Sequence, residues 1–457
     1  MKQFKDILPY SLLGAAVCAA VPGMAKNKIV DRPNILLIYF DDMGYGDLGL
    51  TGNPNIATPN LDRLGRQGVW FTNYYTPSAA STASRYGLLT GRYPSRSGFG
   101  WVLKPNSKLG IHPDELLLPE ALQEAGYRTA MVGKWHLGST DRSYYPLQNG
   151  FEEYFGLLYS NDMLPPKWPD MNLMEGNDVA EVNPSISKLT RIYSDRAISY
   201  IKRNDGTPFF LYLAYAMPHT HLDPEKPFAG RSKRGTYGDV VEELDFHVGR
   251  VIQSLKEEGL EDNTLVIITS DNGPWLIWKE LGGSSGLFKD GKGSTWEGGH
   301  RVPFIVYAPK MLEPRVDPTL ISGLDIFPTL LSIAGYKLDK NRVVDGMDIS
   351  KLMEDPSQSK RFDNRTFFYF GLGQTLMAVR EGKWKLHIKQ YSQLEESKKL
   401  YFDGKLPLLF NLDVDPSEQY DLADQYPEIV ARLQKLIDEK RAEIQQTGSF
   451  WGKTICK

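Results

Sequence analysis

With 457 residues, 53 Lys and Arg against 56 Asp and Glu, and a net charge of -3, the chain has no broad basic field of the kind that gathers nucleic acid. Any anion it binds must be held by a local cluster of cations. The length exceeds the about 250 to 300 residues at which single cores stop growing, which allows one large or two unequal domains, and the 41% hydrophobic and 24% charged fractions describe an ordinary soluble globular protein.

In chain order, residues 1–25 come first. Lys2 and Lys5 precede the apolar run Leu12 to Val17, and small residues follow around Ala20 and Ala25. This is the layout of a secretory signal peptide, too short for a stable span, so an exported protein, periplasmic or extracellular, is expected. Cys18 raises a lipoprotein reading, against which stands the bulky Val17 before it. No later stretch reaches about 18 uninterrupted apolar residues, so no integral membrane protein is expected. Without the leader Cys456 is the only cysteine, which leaves core burial and a bound metal, not disulfides, to hold the fold.

Ile35 to Phe40 is a continuous apolar run that reads as a buried parallel strand ending in Asp41-Asp42. Ser81-Thr82-Ala83-Ser84-Arg85 then leads into Leu88-Leu89-Thr90-Gly91-Arg92. Residues 119–125 read as a helix, and Thr129 to Gly133 as a strand before Lys134. Phe209 to Ala214 is a strand before His219, residues 239–255 are a helix, and Thr264 to Thr269 is a strand that runs into Ser270-Asp271-Asn272-Gly273. Strands alternating with helices predict an α/β fold, a large, mostly parallel sheet covered on both faces, with its ligand site at the carboxyl ends of the strands. Beyond about residue 335 the pattern shortens: 382–387 and 408–412 read as antiparallel strands and 427–445 as a closing amphipathic helix. A catalytic domain over 26–360 and a smaller α+β subdomain over 361–457 are expected.

Two constellations carry chemistry. Asp41, Asp42, Asp271 and Asn272 offer only oxygen, which suits a hard cation such as calcium or magnesium. Any one acidic pair is more often a strand-end turn or a helix cap, but two pairs after two buried strands favour a shared ion. Lys134 and His136 in Gly133-Lys134-Trp135-His136, His219 in Pro218-His219-Thr220-His221, and Lys292 in Gly291-Lys292-Gly293 form the second group. A tetrahedral sulfate or phosphate ester needs such cations to offset its charge and a proton donor for the departing oxygen. Arg85 can hold residue 81 in place. His221 is close enough to His219 to line the same pocket, whereas His247, His300 and His387 read as ordinary hydrogen-bonding histidines.

These segments together resemble the formylglycine-dependent sulfatases of the alkaline-phosphatase-like superfamily, nearest the arylsulfatase A and N-acetylgalactosamine-6-sulfatase type. The resemblance is close over residues 32 to about 335 and extends to Val379 to Lys385 and Leu412 to Pro416. It implies one calcium ion per chain on Asp41, Asp42, Asp271 and Asn272, with position 81 facing it as the formylglycine nucleophile. It implies that Arg85, Lys134 and Lys292 hold that residue and the sulfate, and that Ser160 in Tyr159-Ser160-Asn161-Asp162 binds the sulfate. His136 matches the base that collapses the sulfated intermediate, and His219 the residue that contacts the sulfate and protonates the leaving oxygen. In this chemistry a maturase oxidises residue 81 to an aldehyde. One hydroxyl of its hydrate attacks sulfur and the other then expels sulfate. The family's commoner residues are Cys at position 81 and Pro at position 83. Ser81 and Ala83 are compatible with serine-type maturation by an anaerobic radical enzyme, and a serine at 81 also with an engineered inactive variant.

The expected substrate is a sulfated carbohydrate. The alternatives are a phosphate or phosphonate monoester hydrolase of the same superfamily, and a catalytically silent protein that binds sulfated glycans without converting Ser81.

Overall fold

The computed structural model describes residues 28–99, 101–394 and 405–451. The expected signal peptide, Cys18 and Cys456 lie outside them. The strands in chain order are β1 (Asn34–Phe40), β2 (Val69–Phe71), β3 (Tyr74–Tyr75), β4 (Arg128–Gly133), β5 (Glu153–Leu157), β6 (Asn172–Glu175), β7 (Asp178–Val182) and β8 (Phe209–Ala214). They continue with β9 (Thr264–Ser270), β10 (Phe304–Tyr307), β11 (Arg315–Asp317), β12 (Ile321–Ser322), β13 (Thr366–Phe370), β14 (Leu376–Glu381), β15 (Trp384–His387) and β16 (Leu408–Asn411).

Ten of them form one mixed sheet in the order β11-β2-β10-β9-β1-β8-β4-β5-β6-β7. Its centre, β9-β1-β8-β4-β5, is parallel throughout, and the antiparallel pairings lie outside that block. Every residue of β1 is buried, and its side chains alternate between two cores as strand geometry demands. Ile35, Leu37 and Tyr39 join the core under the helices Ser81–Thr90, Leu118–Glu124 and Ile326–Ala334. Leu36, Ile38 and Phe40 join the core under Pro59–Gln67, Leu189–Lys202 and Thr236–Glu257. A sheet with helices on both faces is the layered α/β architecture expected from the sequence.

A second, four-stranded antiparallel sheet, β13-β14-β15-β16, packs with the helix Pro427–Thr447 at the C-terminal end. The antiparallel strand expected over 382–387 is β15, which starts two residues later at Trp384 because Gly382, at φ +54°, turns the chain after Glu381 ends β14. Among the described residues no helix is long and apolar enough to cross a membrane.

The parallel block brings five chain segments to one edge. Asp271 and Asn272 leave β9, Asp41 and Asp42 leave β1, Tyr215 to His219 leave β8, Lys134 to His136 leave β4, and Ser160 follows β5.

Candidate active site

The helix Ser81–Thr90 enters this edge with all ten residues buried. Residues four apart share a helix face, so Ser81 and Arg85 point to the same place. The helix stops where Gly91 takes up φ +68°, the left-handed cap conformation open to glycine. Two further glycines let the strand ends approach. A Cβ on Gly133, at φ +111°, would lie 1.8 Å from the carbonyl oxygen of Ala214, and one on Gly273 1.8 Å from that of Gly298.

Ser81 Oγ donates to Asp41 Oδ1 at 3.2 Å. Arg85 donates from Nε and Nη2 to Asp271 Oδ2 at 3.2 and 2.9 Å, and from Nη1 to the carbonyl of Lys134 at 2.9 Å. Lys134 Nζ contacts Asp41 Oδ2 and donates to Ser160 Oγ at 3.2 Å, while Lys292 Nζ donates to Asp42 Oδ2 at 2.8 Å. His219 Nε2 stands 3.6 Å from Asp42 Oδ2. Eleven of the twelve residues selected from the sequence are therefore drawn into one buried patch. His221 is the exception: its side chain is exposed and packs on Trp278 with ring centroids 6.2 Å apart.

Burial opposes ionisation of Asp41, but Lys134, His219, Arg85 and Lys292 override it and hold the carboxyl well below the usual range. Asp271 is pushed up to about 7, first by burial and then by Asp41. Burial, and next Lys292, push His219 down, and burial with Lys134 pushes His136 well down, so both imidazoles are neutral near pH 7. Their tautomers follow from carbonyl partners, which only accept. His219 Nδ1 donates to the oxygen of Thr220 at 2.5 Å, leaving Nε2 to exchange protons beside Asp42. His136 Nε2 donates to the oxygen of Leu103 at 2.9 Å, and its Nδ1 is a buried lone pair without a partner. Asp42 and His136 both hold left-handed backbone, at φ +67° and +63°, a strain of order 1 to 3 kcal/mol each that clusters at functional sites.

The oxygen set fits a hard cation. Asn272 donates its amide to Asp42 Oδ1 at 2.7 Å, which leaves Asn272 Oδ1 buried with no partner beside the carboxylates. Asp41, Asp42 and His219 also place ligand atoms within 4.8 Å of one another. A second such group, Glu225, Glu243 and His247, lies elsewhere. There Arg250 donates to His247 Nδ1 at 3.0 Å, which keeps the ring proton on Nε2 and makes that nitrogen a donor, not a ligand.

Sequence reasoning overlooked two neighbours. Asp162 has a buried Oδ1 without a partner. Burial works against its ionisation, but His219 first, then Lys134, Ser160 and Lys292, hold it below the usual carboxylate range. Trp275 lies 5.2 Å from the His219 ring, centroid to centroid. Asp162 sits two residues after Ser160, and Trp275 three after Asn272, so distance from the singled-out motif residues was the only available signal.

Comparison with known proteins agrees with this geometry. The family model described as Sulfatase matches residues 33–336, and that of the C-terminal region of aryl-sulfatase matches 363–455. N-acetylgalactosamine-6-sulfatase of Canis lupus familiaris is 37% identical over 462 residues, covering 91% of this chain and 87% of the relative. Arylsulfatase A of Bos taurus is 38% identical over 454 residues, covering 91% and 86%. The crystal structure of PsFucS1 sulfatase from Pseudoalteromonas sp. superposes with a TM-score of 0.82 at 27% identity, over 92% of this chain and 91% of that one. Matches that span both parts of the chain, at this identity and over most of each relative, assign it to the sulfatase family, and its activity is that of a sulfuric ester hydrolase.

Proposed function

We propose that the protein is an exported sulfatase that removes sulfate from a sulfated carbohydrate, using a formylglycine made from Ser81 and one calcium ion. The observation that carries this reading is the contact of Ser81 Oγ with Asp41 inside a ring of Lys134, Lys292, Arg85 and His219. The carbohydrate assignment follows the sugar sulfate named in the dog relative, and export rests on the leader-like residues 1–25. The division into a catalytic domain to residue 360 and a subdomain from 361 is supported by the separate small sheet and by the two family matches.

Asp41, Asp42, Asp271 and Asn272 are the residues to hold calcium, which when bound withdraws electron density from an ester oxygen and favours an ionised oxygen at position 81. Oxidation of Ser81 by a maturase of the anaerobic radical type removes two hydrogens and supplies an aldehyde whose hydrate carries the two hydroxyls needed for attack and release. Lys134, Lys292 and Ser160 bind the sulfate oxygens, and Arg85 fixes the residue at 81 through Asp271 and the Lys134 carbonyl. His219 Nε2, a bare lone pair in the neutral ring, takes the proton that the attacking hydroxyl gives up and passes it to the departing alcohol. His136 Nδ1, an unpaired base, takes the proton whose loss frees sulfate.

The test is the intact mass of the Ser81 peptide after expression with a maturase, read beside hydrolysis of nitrophenyl sulfate and nitrophenyl phosphate. A peptide lacking two hydrogens and preference for the sulfate are expected. An unmodified serine in every preparation supports a silent glycan-binding protein, and preference for the phosphate supports the phosphomonoesterase reading.

A further inference from the structure

Trp275 is fixed on three sides by groups from separate parts of the chain. The ammonium of Lys292 lies 4.3 Å from the centroid of its ring, a cation–π distance. The His219 ring packs against it with centroids 5.2 Å apart and planes 42° apart. Its indole Nε1 donates to Gln393 Oε1 at 2.5 Å. Gln393 follows β15 in the C-terminal part of the chain, and its side chain lies on the backbone of Gly293, the neighbour of Lys292. A Cβ on Gly293 would meet Gln393 Nε2 at 2.5 Å. Trp278 closes the remaining edge, its ring 5.8 Å from Trp275 and near perpendicular at 74°.

We propose that Trp275 is a positioning residue for the sulfate-binding groups Lys292 and His219, and that Gln393 anchors it, so the C-terminal part of the chain completes the sulfate pocket. The inference rests on the reading of that pocket given above. A lysine stem has many rotamers, and Lys292 is held by Asp42 and by the indole. Asp42, if it also held a cation, would hold Lys292 less firmly. The indole then keeps the ammonium over the pocket, and the Gln393 bond keeps the indole from turning.

The experiment measures binding of 4-nitrophenyl sulfate by calorimetry to the full-length protein with Ser81 unmodified, and kcat and KM of the matured enzyme. The variants are Trp275→Leu, Trp275→Phe, Gln393→Ala and the double Trp275→Phe/Gln393→Ala. Trp275→Leu is expected to weaken binding about tenfold and to lower kcat as well as raise KM, because it frees a pocket cation. Trp275→Phe keeps a ring without an N–H, and it and Gln393→Ala should each cost about threefold. The double variant should bind no worse than Trp275→Phe, since a phenyl ring has no bond to Gln393 left to lose. Wild-type binding by Trp275→Leu, with an unchanged unfolding midpoint in every variant, overturns the positioning role. A double variant whose loss is the product of the single losses overturns the anchor. A wild-type protein that binds no sulfate ester overturns the reading of the pocket itself, and the positioning role with it.

Discussion

Ser81 Oγ and Asp41 Oδ1 are joined by a hydrogen bond of 3.2 Å, so the first residue of a buried helix touches the first residue beyond the central strand. Removing that hydroxyl separates chemistry from binding. Ser81→Ala loses one hydrogen bond at a helix start, a cost of about 1 kcal/mol, and keeps every charged group of the pocket. Turnover of nitrophenyl sulfate is expected to fall by at least about three orders of magnitude, with binding of the same ester within about threefold of wild type. Turnover of more than a few per cent of wild type by Ser81→Ala means that another group is the nucleophile.

The central strands were legible because burial on both faces leaves an uninterrupted apolar run, and such a run stops where the chain reaches the polar edge. That is why Asp41, Lys134, His219 and Asp271 could be found together. The outer strands carry a weaker signal. β7 has four exposed residues among its five, and β2 and β11 have only three residues each. Neither length nor alternation sets such segments apart from loops. Asp162 and Trp275 were hidden for a different reason: their roles come from what crosses them in space. Gln393 is 118 residues from Trp275, a pairing that no local pattern encodes. His221 erred the other way, since two residues along a loop were enough to turn it out to solvent.

Calcium should stabilise the protein measurably. A ligand bound only by the native state adds about 2.7 kcal/mol at a hundred times its Kd. Lys134 contacts Asp41 and Lys292 contacts Asp42, so the ion competes with these ammonium groups; that competition raises the Kd and leaves the gain at a given multiple of Kd unchanged. Thermal unfolding with chelator and then with excess calcium checks this, with Asn272→Ala as the comparison. The variant removes the unpartnered amide oxygen beside the carboxylates and should shrink the calcium-dependent shift by more than half. A wild-type midpoint indifferent to calcium rules out the oxygen cradle as a cation site.

Asp162 sets a charge balance that distinguishes the ester it admits. With a cation bound to keep Asp271 ionised, Asp41, Asp42, Asp162 and Asp271 would carry four negative charges against three on Arg85, Lys134 and Lys292, and both histidines are neutral. One divalent cation leaves a single positive charge, which a sulfate monoester neutralises and a phosphate monoester, nearly a dianion at pH 7, exceeds. Asp162→Asn should therefore raise kcat/KM for nitrophenyl phosphate relative to nitrophenyl sulfate, by about tenfold for a like-charge penalty near 1.4 kcal/mol. An unchanged ratio, with both esters slowed alike, shows that Asp162 acts on geometry and not on charge.

Acid should undo the seam between the two sheets before it unfolds either core. Glu297, five residues beyond Lys292, is buried where Tyr75 of the catalytic sheet region meets Lys385 and Arg380 of the small sheet. Lys385 Nζ donates to its Oε1 at 2.9 Å, and its backbone N–H donates to Glu418 Oε2 at 2.7 Å. Burial opposes its ionisation, but Lys385, Arg380 and Arg301 win and hold the carboxyl at about 2, below its ordinary value of 4.5. The native state then binds fewer protons than the unfolded chain between those values. The stabilisation is complete above about pH 4.5 and is lost as the pH falls towards 2. Its size is about 3 kcal/mol for a shift of this extent. Glu297→Gln should unfold more easily at pH 7 by about 3 to 5 kcal/mol, because Lys385 and Arg380 are left buried without this carboxylate. It should also lose much of the acid dependence, since the group that titrates is gone. Urea unfolding at pH 7, 5, 4 and 3 separates the two effects. If Glu297→Gln keeps the full wild-type slope between about pH 5 and pH 3, the acid sensitivity of the seam resides in another carboxylate, and Glu418, hydrogen-bonded to His387 at 2.8 Å, is the next to substitute.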